Sequence, residues 1–183
     1  MKPAPFDYVR PESLDEALAQ LVELGEEAKV LAGGQSLVPV LNMRLLQPST
    51  VIDIGRLPGL DGIEARNGSV AVGALATQRA FQDSPLTPPL VAEALPHVGH
   101  FVTRNRGTVG GSVAHADAAA ELPLCLAVLG GSVVAASPRG RREIAADEFF
   151  LTHFTTALAP DELLVETLWP AAAPGWGFAF EEF

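Results

Sequence analysis

The sequence predicts an α+β fold in two subdomains, residues 1–56 and 57–183, and three observations support this prediction. The first sixty residues alternate between helix and strand patterns, which is typical of a small βαβ-like unit. After residue 60 the pattern changes to a hairpin followed by mixed helices and strands. The 183 residues suffice for one domain, or for two small ones that share an interface, and no composition shift marks a clean linker.

The first subdomain begins with a well-marked helix. Ser13 and Glu16 form a capping box, in which each side chain can satisfy a backbone N–H group of the first turn. Apolar residues then recur on one helical face until Gly25 ends the helix. The later elements predicted here are the strand 29–32, the helix 36–46 with Pro39 in its first turn, and the strand 51–54.

The second subdomain begins with a hairpin around Asn67-Gly68, a dipeptide that readily adopts the positive φ angles of a tight turn. Apolar periodicity beyond the hairpin alternates between helix and strand spacing. The predicted strands are 60–64, 69–73, 132–136 and 163–168, and the predicted helices are 77–82, 89–97, 121–129 and 146–150.

Composition and charge exclude several classes of function. The formal net charge is −10, which disfavours binding to a nucleic-acid backbone. The apolar stretches fall short of the ~20 residues that a membrane-spanning helix needs, and no export signal is recognised at the N-terminus, so a cytoplasmic protein without a membrane partner is expected. The single cysteine, Cys125, cannot by itself hold an iron–sulfur cluster or a structural zinc.

The most informative feature is a repeated glycine pair. Ala32-Gly33-Gly34-Gln35-Ser36 and, much later, Thr108-Val109-Gly110-Gly111-Ser112 each place two glycines between an apolar lead-in and polar residues. Adjacent glycines let a ligand approach backbone N–H groups, and successive N–H groups can form an anion-binding nest. Two such nests could hold a pyrophosphate without lysines, although two ordinary turns would give the same pattern. The dinucleotide and nucleotide motifs Gly-x-Gly-x-x-Gly and Gly-x-x-x-x-Gly-Lys-Ser/Thr are absent from the sequence.

The segment Arg104-Asn105-Arg106-Gly107-Thr108-Val109-Gly110-Gly111-Ser112 resembles the signature of the FAD-binding medium subunit of molybdenum hydroxylases. That family includes the carbon monoxide dehydrogenase medium chain and the flavin domain of xanthine dehydrogenase. The first glycine pair, the segment 41–44 and the strand 51–54 match the same family in the same order. The resemblance implies a two-subdomain FAD-binding fold of the vanillyl-alcohol-oxidase and p-cresol-methylhydroxylase type, followed in the family by a C-terminal domain that this chain is expected to lack.

The resemblance also implies roles for individual residues. The first loop would surround the FAD pyrophosphate through its main-chain N–H groups, and the second would form the opposite side, with two hydroxyl groups near the phosphates. Glu121 occupies the family's acidic position, where it would accept hydrogen bonds from the adenosine; an acid at a helix N-terminus is the alternative. The cofactor-binding residues expected on this basis are Ala32, Gly33, Gly34, Gln35, Ser36, Thr108, Gly110, Gly111, Ser112 and Glu121.

Several neighbouring residues have simpler interpretations. Arg104 and Arg106 precede the second loop and could contact phosphate or a partner, but a surface charge is the favoured interpretation of Arg104. Asp117 is expected to cap the helix that begins at residue 121, and contact with the cofactor is the alternative. Packing is the expected role of Cys125, Trp169 and Trp176. Val98 and Leu164 match apolar contact positions of the family, and packing in the core is an equally good interpretation of both. The segment 177–183 resembles a family strand, from which Phe180 and Glu181 depart.

The leading hypothesis from the sequence is a FAD-binding electron-transfer subunit of a molybdenum hydroxylase-like complex, with no catalytic residue and no metal site of its own. The resemblance implies an iron–sulfur small subunit and a molybdopterin large subunit as partners in a hetero-oligomer. Electrons would pass from partner clusters through FAD to NAD⁺, a quinone or oxygen. Two alternatives stay open: a stand-alone flavoprotein oxidase or reductase, and a shortened, non-catalytic structural or assembly module.

Overall fold

The computed structural model describes residues 2–171 and 174–182 and places their strands in three sheets. The strands are β1 (Asp7–Val9), β2 (Ala28–Leu31), β3 (Thr50–Asp53), β4 (Ile63–Arg66), β5 (Ser69–Gly73), β6 (Ser132–Ser137), β7 (Gly140–Ala145), β8 (Phe150–Thr152), β9 (Thr155–Thr156) and β10 (Leu163–Pro170). The helices are α1 (Leu14–Leu24), α2 (Leu37–Asn42), α3 (Gln78–Asp83), α4 (Pro89–Ala94), α5 (Phe101–Arg104), α6 (Val109–His115), α7 (Glu121–Val128) and α8 (Ala146–Phe149).

The first sheet is parallel and has the strand order β1-β3-β2. Helix α1 connects its two edge strands and buries Ala17, Leu18 and Leu21. One half of the predicted capping box is observed, because the Ser13 hydroxyl accepts a hydrogen bond from the Glu16 N–H group at 3.2 Å, whereas the Glu16 carboxylate accepts from the Glu12 N–H group at 2.8 Å. Parallel strands end at the same edge of a sheet, so the loops after β1, β2 and β3 lie together at the carboxyl edge.

The second sheet is antiparallel and has the order β4-β5-β10-β6-β7. Its β4–β5 hairpin turns at Asn67 and Gly68, whose φ angles are 53° and 80°, and this confirms the predicted turn. The central strand β10 is buried on both faces over Leu163, Leu164 and Val165, where a register shift interrupts its pairing with β6. A third, two-stranded sheet joins β8 to β9.

The two faces of the five-stranded sheet belong to different hydrophobic clusters. On one face Leu164 and Trp169 pack with side chains from α4, α6 and α7, and Trp169 is completely buried beside Phe81, with ring centroids 5.4 Å apart. On the other face Leu163 and Val165 pack with residues of α1 and β3. The second cluster therefore joins the parallel unit to the antiparallel sheet. This α+β architecture agrees with the predicted fold class.

Several predicted elements differ in extent or were missed. The helix predicted at 36–46 ends at Asn42, because the chain reverses at Arg44, which has a φ angle of 57°. The strand predicted at 60–64 is displaced to Ile63–Arg66. The elements that the sequence patterns did not indicate are β1, α5, α6, β7, β8 and β9, all of which are short or have few apolar residues in a regular period.

The predicted strand 177–183 is not observed: Gly177–Glu182 form no strand, and Phe183 lies outside the described residues. Trp176 is 64% exposed rather than packed, which corrects the expected packing role. Within the described ranges, no helix has the length and apolar character needed to cross a bilayer.

Candidate functional site

The two glycine loops, which are far apart in the sequence, meet in the structure. Gly33 lies against the second loop so closely that a Cβ atom at position 33 would be 2.2 Å from the Arg106 carbonyl oxygen and 2.9 Å from the Gly107 Cα atom. A Cβ atom at Gly111 would lie 3.7 Å from the Ala32 Cβ atom. The loop after β2 is therefore held against the segment that leads into α6, as the paired motifs suggested.

The first loop presents backbone donors without acceptors. The N–H groups of Gly33, Gly34, Gln35 and Ser36 donate no hydrogen bond to any residue that the structure describes. Gly34 has a φ angle of 72°, which glycine adopts without strain, and the Gln35 side chain donates to the Gly33 carbonyl oxygen at 3.1 Å. Four successive unsatisfied donors at the carboxyl edge of a parallel sheet fit an anionic oxygen ligand, such as a phosphate.

The second glycine pair forms no such nest, which corrects the prediction of two equivalent nests. Gly110 and Gly111 lie inside the first turn of α6, and their N–H groups already have acceptors: the Ala74 carbonyl oxygen at 3.0 Å and the Thr108 hydroxyl at 3.0 Å. The N–H groups of Val109 and Ser112 likewise donate to backbone carbonyls. Because α6 begins next to β5, its first N–H groups are used to cap the helix and to bind the chain at the end of that strand.

Gly110 is instead a position of close packing. A Cβ atom there would lie 2.5 Å from the Ala74 Cβ atom and 2.6 Å from the Ala74 Cα atom. Thr108, which is buried, caps α6, whereas Ser112 is half-buried, and its hydroxyl makes no hydrogen bond within the described part of the chain. Of the predicted residues on this loop, Ser112 therefore has a side chain free to meet a ligand.

Glu121 begins α7 and lines a cavity of about 220 Å³ with Leu124, Phe180 and Glu182. Burial raises the pKa of the Glu121 carboxyl group above its ordinary value, and the negative charges of Glu182 and Asp117 act in the same direction. A half-buried carboxylate in a concave site is a ready acceptor for hydroxyl donors such as those of a ribose. The predicted acid is thus placed in a cavity beside the loop that follows α6.

Arg104 is buried, which corrects its interpretation as a surface charge. Its guanidinium group donates to the Gln82 side-chain oxygen at 3.0 Å and to the carbonyl oxygens of Pro96, Val98 and Gly99 at 3.0–3.2 Å. A planar group with five donors suits such a convergence of carbonyl oxygens. Arg104 therefore fixes the turn that precedes the second glycine loop, while Arg106 is exposed.

Three further predictions concern individual side chains. Asp117 does not cap α7, because its carboxylate accepts from Ala119 at 3.0 Å and so closes a turn before the helix. Cys125 is buried, and burial raises the pKa of its thiol to about 11, so it packs as expected. Val98 and Leu164 both belong to the core cluster beside Trp169.

One residue near the site, Gln78, was not singled out from the sequence. Its N–H group donates to the Gly107 carbonyl oxygen at 2.8 Å, and its buried side-chain oxygen has no hydrogen-bond partner in the described residues. That oxygen lies 2.8 Å from the position of a Cβ atom at Gly107. In the sequence, Gln78 is only a polar residue in the first turn of a predicted helix. Its contact with Gly107 could not be predicted from this position, because the contact depends on the loop that packs against the helix.

Comparison with known proteins identifies the family of this arrangement. Residues 4–172 match the family model described as "FAD binding domain in molybdopterin dehydrogenase". The chain belongs to this family. The FAD-binding domain is 45% identical to the "6-hydroxypseudooxynicotine dehydrogenase complex subunit alpha" of Paenarthrobacter nicotinovorans, and the match covers 100% of the chain and 63% of the relative.

A second relative and a solved structure agree with this assignment. The FAD-binding domain is 40% identical to the carbon monoxide dehydrogenase medium chain of Hydrogenophaga pseudoflava, over 100% of the chain and 64% of the relative. A solved carbon monoxide dehydrogenase from that organism, lacking the Mo-pyranopterin moiety of its cofactor, superposes with a TM-score of 0.94 at 41% identity and covers 100% of this chain and 65% of the solved one. The FAD-binding domain thus spans somewhat less than two thirds of the length of these relatives.

FAD is the cofactor of this family, and the residues present fit it. A dinucleotide needs acceptors for its ribose hydroxyls and donors for its phosphates. The unsatisfied N–H groups of Gly33–Ser36 supply donors, and Glu121 supplies an acceptor.

Proposed function

We propose that this FAD-binding domain is the electron-transfer part of a molybdenum hydroxylase-like oxidoreductase, acting as a subunit of a complex. Its named relatives are subunits of dehydrogenase complexes, which supports this assignment. Substrate oxidation would take place on another polypeptide, since the fold of this chain offers a cofactor cradle rather than an acid–base pair.

The observation that carries the proposal is the row of free backbone donors from Gly33 to Ser36, held against the second loop at Arg106 and Gly107. These N–H groups would bind the FAD pyrophosphate, with the Ser112 hydroxyl on the opposite side. Ala32 and Gly111 would contribute by bringing the two loops together, and Thr108 and Gly110 by capping α6 and packing it against Ala74, rather than by donating to phosphate. Glu121 would accept from the adenosine ribose. When bound, FAD supplies the redox chemistry: it accepts two electrons and two protons and passes them to an acceptor.

The partners follow from what this chain does not contain. Cys125 is the single cysteine of the sequence and is buried in α7, so iron–sulfur clusters of the complex would reside on a separate chain. We propose an iron–sulfur small subunit and a molybdopterin large subunit as partners in a cytoplasmic hetero-oligomer. NAD⁺, a quinone or oxygen would be the electron acceptor. Residues 1–56 and 57–183 would be the two subdomains between which FAD lies.

A charge inserted into the loop tests the phosphate assignment. Gln35 is exposed, so Gln35→Glu should leave the overall fold intact while removing the side-chain donor to the Gly33 carbonyl oxygen and placing a negative charge beside the proposed pyrophosphate. We expect the wild type to bind one FAD, measured by flavin absorbance and isothermal titration, and the variant to bind at least about tenfold more weakly. Gln47→Glu is the matched control, since Gln47 is also exposed but lies outside the loop. Absence of FAD binding by the wild type would disprove the function.

The alternatives of a stand-alone flavoprotein and of a purely structural module make different predictions. A stand-alone enzyme would turn over a substrate without any other chain. A structural module would assemble with its partners equally well after Gln35→Glu, with or without flavin. Dye-linked dehydrogenase assays on the purified domain and on the assembled complex therefore separate the three functions.

A further inference from the structure

We propose that Tyr8 is a positioning residue for the phosphate loop, Gly33–Ser36, because it holds the carboxylate of Asp53 away from the free N–H groups of that loop. Without this restraint, the carboxylate would compete with the pyrophosphate of the cofactor for the same donors. The inference rests on the proposed function, since it concerns how the loop that would bind FAD is kept available for an outside anion.

Asp53 lies beside the start of the phosphate loop. It is the last residue of β3 and is opposite Leu31, the last residue of β2, in the parallel sheet. The Ile54 N–H group donates to the Leu31 carbonyl oxygen at 2.9 Å, so the two segments stay together just beyond the strands. The Asp53 Oδ1 atom and the Ala32 carbonyl oxygen lie 3.1 Å and 3.3 Å from one point, the position of a Cβ atom at Gly55. The fold therefore places a carboxylate next to the residue that leads into the phosphate loop.

Two hydrogen bonds hold the Asp53 carboxylate, and neither comes from the phosphate loop. Its Oδ1 atom accepts from the Gly55 N–H group at 2.9 Å, and its Oδ2 atom accepts from the Tyr8 hydroxyl, which reaches across from β1. Within the described part of the chain, no cation lies within 4.0 Å of this carboxylate, and Tyr8 is the one side chain that donates to it. The position of the Oδ2 atom therefore depends on Tyr8.

A carboxylate released from Tyr8 would oppose phosphate binding in two ways. The free N–H groups of Gly33–Ser36 suit any anionic oxygen, and aspartate side chains readily accept from backbone N–H groups of nearby turns. The Oδ2 atom of Asp53 could therefore turn toward these donors and occupy them. Even without such a bond, a negative charge closer to the loop would repel the pyrophosphate. The Tyr8 hydrogen bond prevents both effects, since it directs this oxygen toward β1.

The Tyr8 hydroxyl is suited to this role. Its hydrogen bond to Asp53 raises the pKa of Tyr8 above its ordinary value, with burial and the Asp53 charge acting in the same direction, whereas the charges of Arg10 and Arg56 lower it. Because the pKa is raised overall, the hydroxyl keeps its proton and donates at neutral pH. Tyr8 is also 54% exposed, and a hydrogen bond at such a position adds little to the free energy of unfolding. Its loss is therefore expected to change ligand binding more than stability.

The experiment measures the Kd of FAD and of ADP on the flavin-free protein by isothermal titration, for Tyr8→Phe, Asp53→Asn and the double variant. ADP carries the pyrophosphate and the adenosine without the flavin, so it reports on the phosphate end of the site. We expect Tyr8→Phe to raise both Kd values about fivefold, which is the usual effect of one hydrogen bond. Asp53→Asn removes the charge, so both Kd values should stay within about twofold of the wild type or fall. In the Asp53→Asn background, Tyr8→Phe should have no further effect, because no carboxylate is left to restrain.

The matched control is Ser132→Ala, which also removes a hydroxyl that donates to a carboxylate, that of Glu143, but does so in the five-stranded sheet. Its Kd values should equal those of the wild type at a temperature where the measured Tm shows every variant to be folded. An unchanged Kd for Tyr8→Phe would overturn the positioning role, and so would an equal loss in Asp53→Asn, in the double variant or in Ser132→Ala. These outcomes leave the proposed function standing as long as Gln35→Glu weakens FAD binding. A wild type that binds no FAD would overturn the proposed function itself.

Discussion

Gly33 faces the carbonyl oxygen of Arg106 with no room for a side chain between them, since a Cβ atom at position 33 would lie 2.2 Å from that oxygen. The contact joins the loop after β2 to the segment before α6. Because both partners are backbone, neither can move aside without displacing a loop. The arrangement of the cofactor cradle therefore depends on this glycine.

Gly33→Ala should separate the two loops. Insertion of a methyl group into a tight contact costs about 1–3 kcal/mol, and we expect a loss of stability in this range together with weaker FAD binding. Urea unfolding and flavin titration measure the two effects. Gly62→Ala is the matched control, because a Cβ atom at Gly62 would meet nothing within 4 Å and should change neither quantity. Equal behaviour of the two variants would contradict the contact.

Gly110→Ala should reduce stability more than cofactor binding. Its Cβ atom would meet Ala74 at 2.5 Å, so we expect a destabilisation of about 1–3 kcal/mol from the clash between α6 and β5. FAD affinity of the folded fraction should stay near that of the wild type, since the Gly110 N–H group already donates to Ala74. Flavin titration at low temperature, where the variant is folded, checks this. A selective loss of FAD would show that Gly110 contacts the cofactor.

Arg104→Met should be strongly destabilising. It removes the donor to three carbonyl oxygens and one amide, and the loss of hydrogen bonds to buried groups predicts a cost of about 3 kcal/mol or more. The free energy of unfolding in urea measures this cost. Arg106→Met changes an exposed arginine two residues further on and should cost less than about 0.5 kcal/mol. Similar values for the two variants would disprove the structural role of Arg104.

Glu121→Gln should have opposite effects on the free protein and on FAD binding. Burial raises the folded pKa of Glu121, so the folded state binds the proton more readily than the unfolded state. The carboxyl group therefore contributes stability at low pH that is lost as the pH rises through the folded pKa. Without FAD, the variant should lose this part of the pH dependence and be at least as stable as the wild type at pH 7.

FAD binding by Glu121→Gln should weaken by about tenfold, because a neutral amide is a poorer acceptor for ribose hydroxyls than a carboxylate. Thermal unfolding between pH 4 and pH 8, with and without FAD, measures both effects, over a range that brackets the ordinary carboxyl pKa. Glu93→Gln serves as the control at an exposed glutamate of α4. A variant with unchanged FAD affinity would show that Glu121 acts only at the helix N-terminus.

Sequence reasoning succeeded where the information is local. The Ser13 cap, the Asn67-Gly68 turn, the apolar period of α1 and the continuous apolar run of α7 are each determined by a few neighbouring residues. It failed for β1 and α6, whose formation depends on partners: β1 has three residues and is defined by its pairing with β3, and α6 begins with two glycines. Such weak local preferences are overridden by tertiary contacts.

The sequence by itself indicated the class of the cofactor site: the two glycine pairs, in an order and context that resemble the FAD-binding medium subunits, predict FAD held by backbone donors. Only the tertiary structure decided which donors are free. The two pairs look alike in the sequence, but the second uses its N–H groups for contact with Ala74 and for the cap of α6, whereas four N–H groups of the first loop find no acceptor among the described residues. The same packing buries Arg104 and places Gly33 against Arg106. These outcomes depend on segments far apart in the chain, and a local pattern holds no information about what will be packed against it.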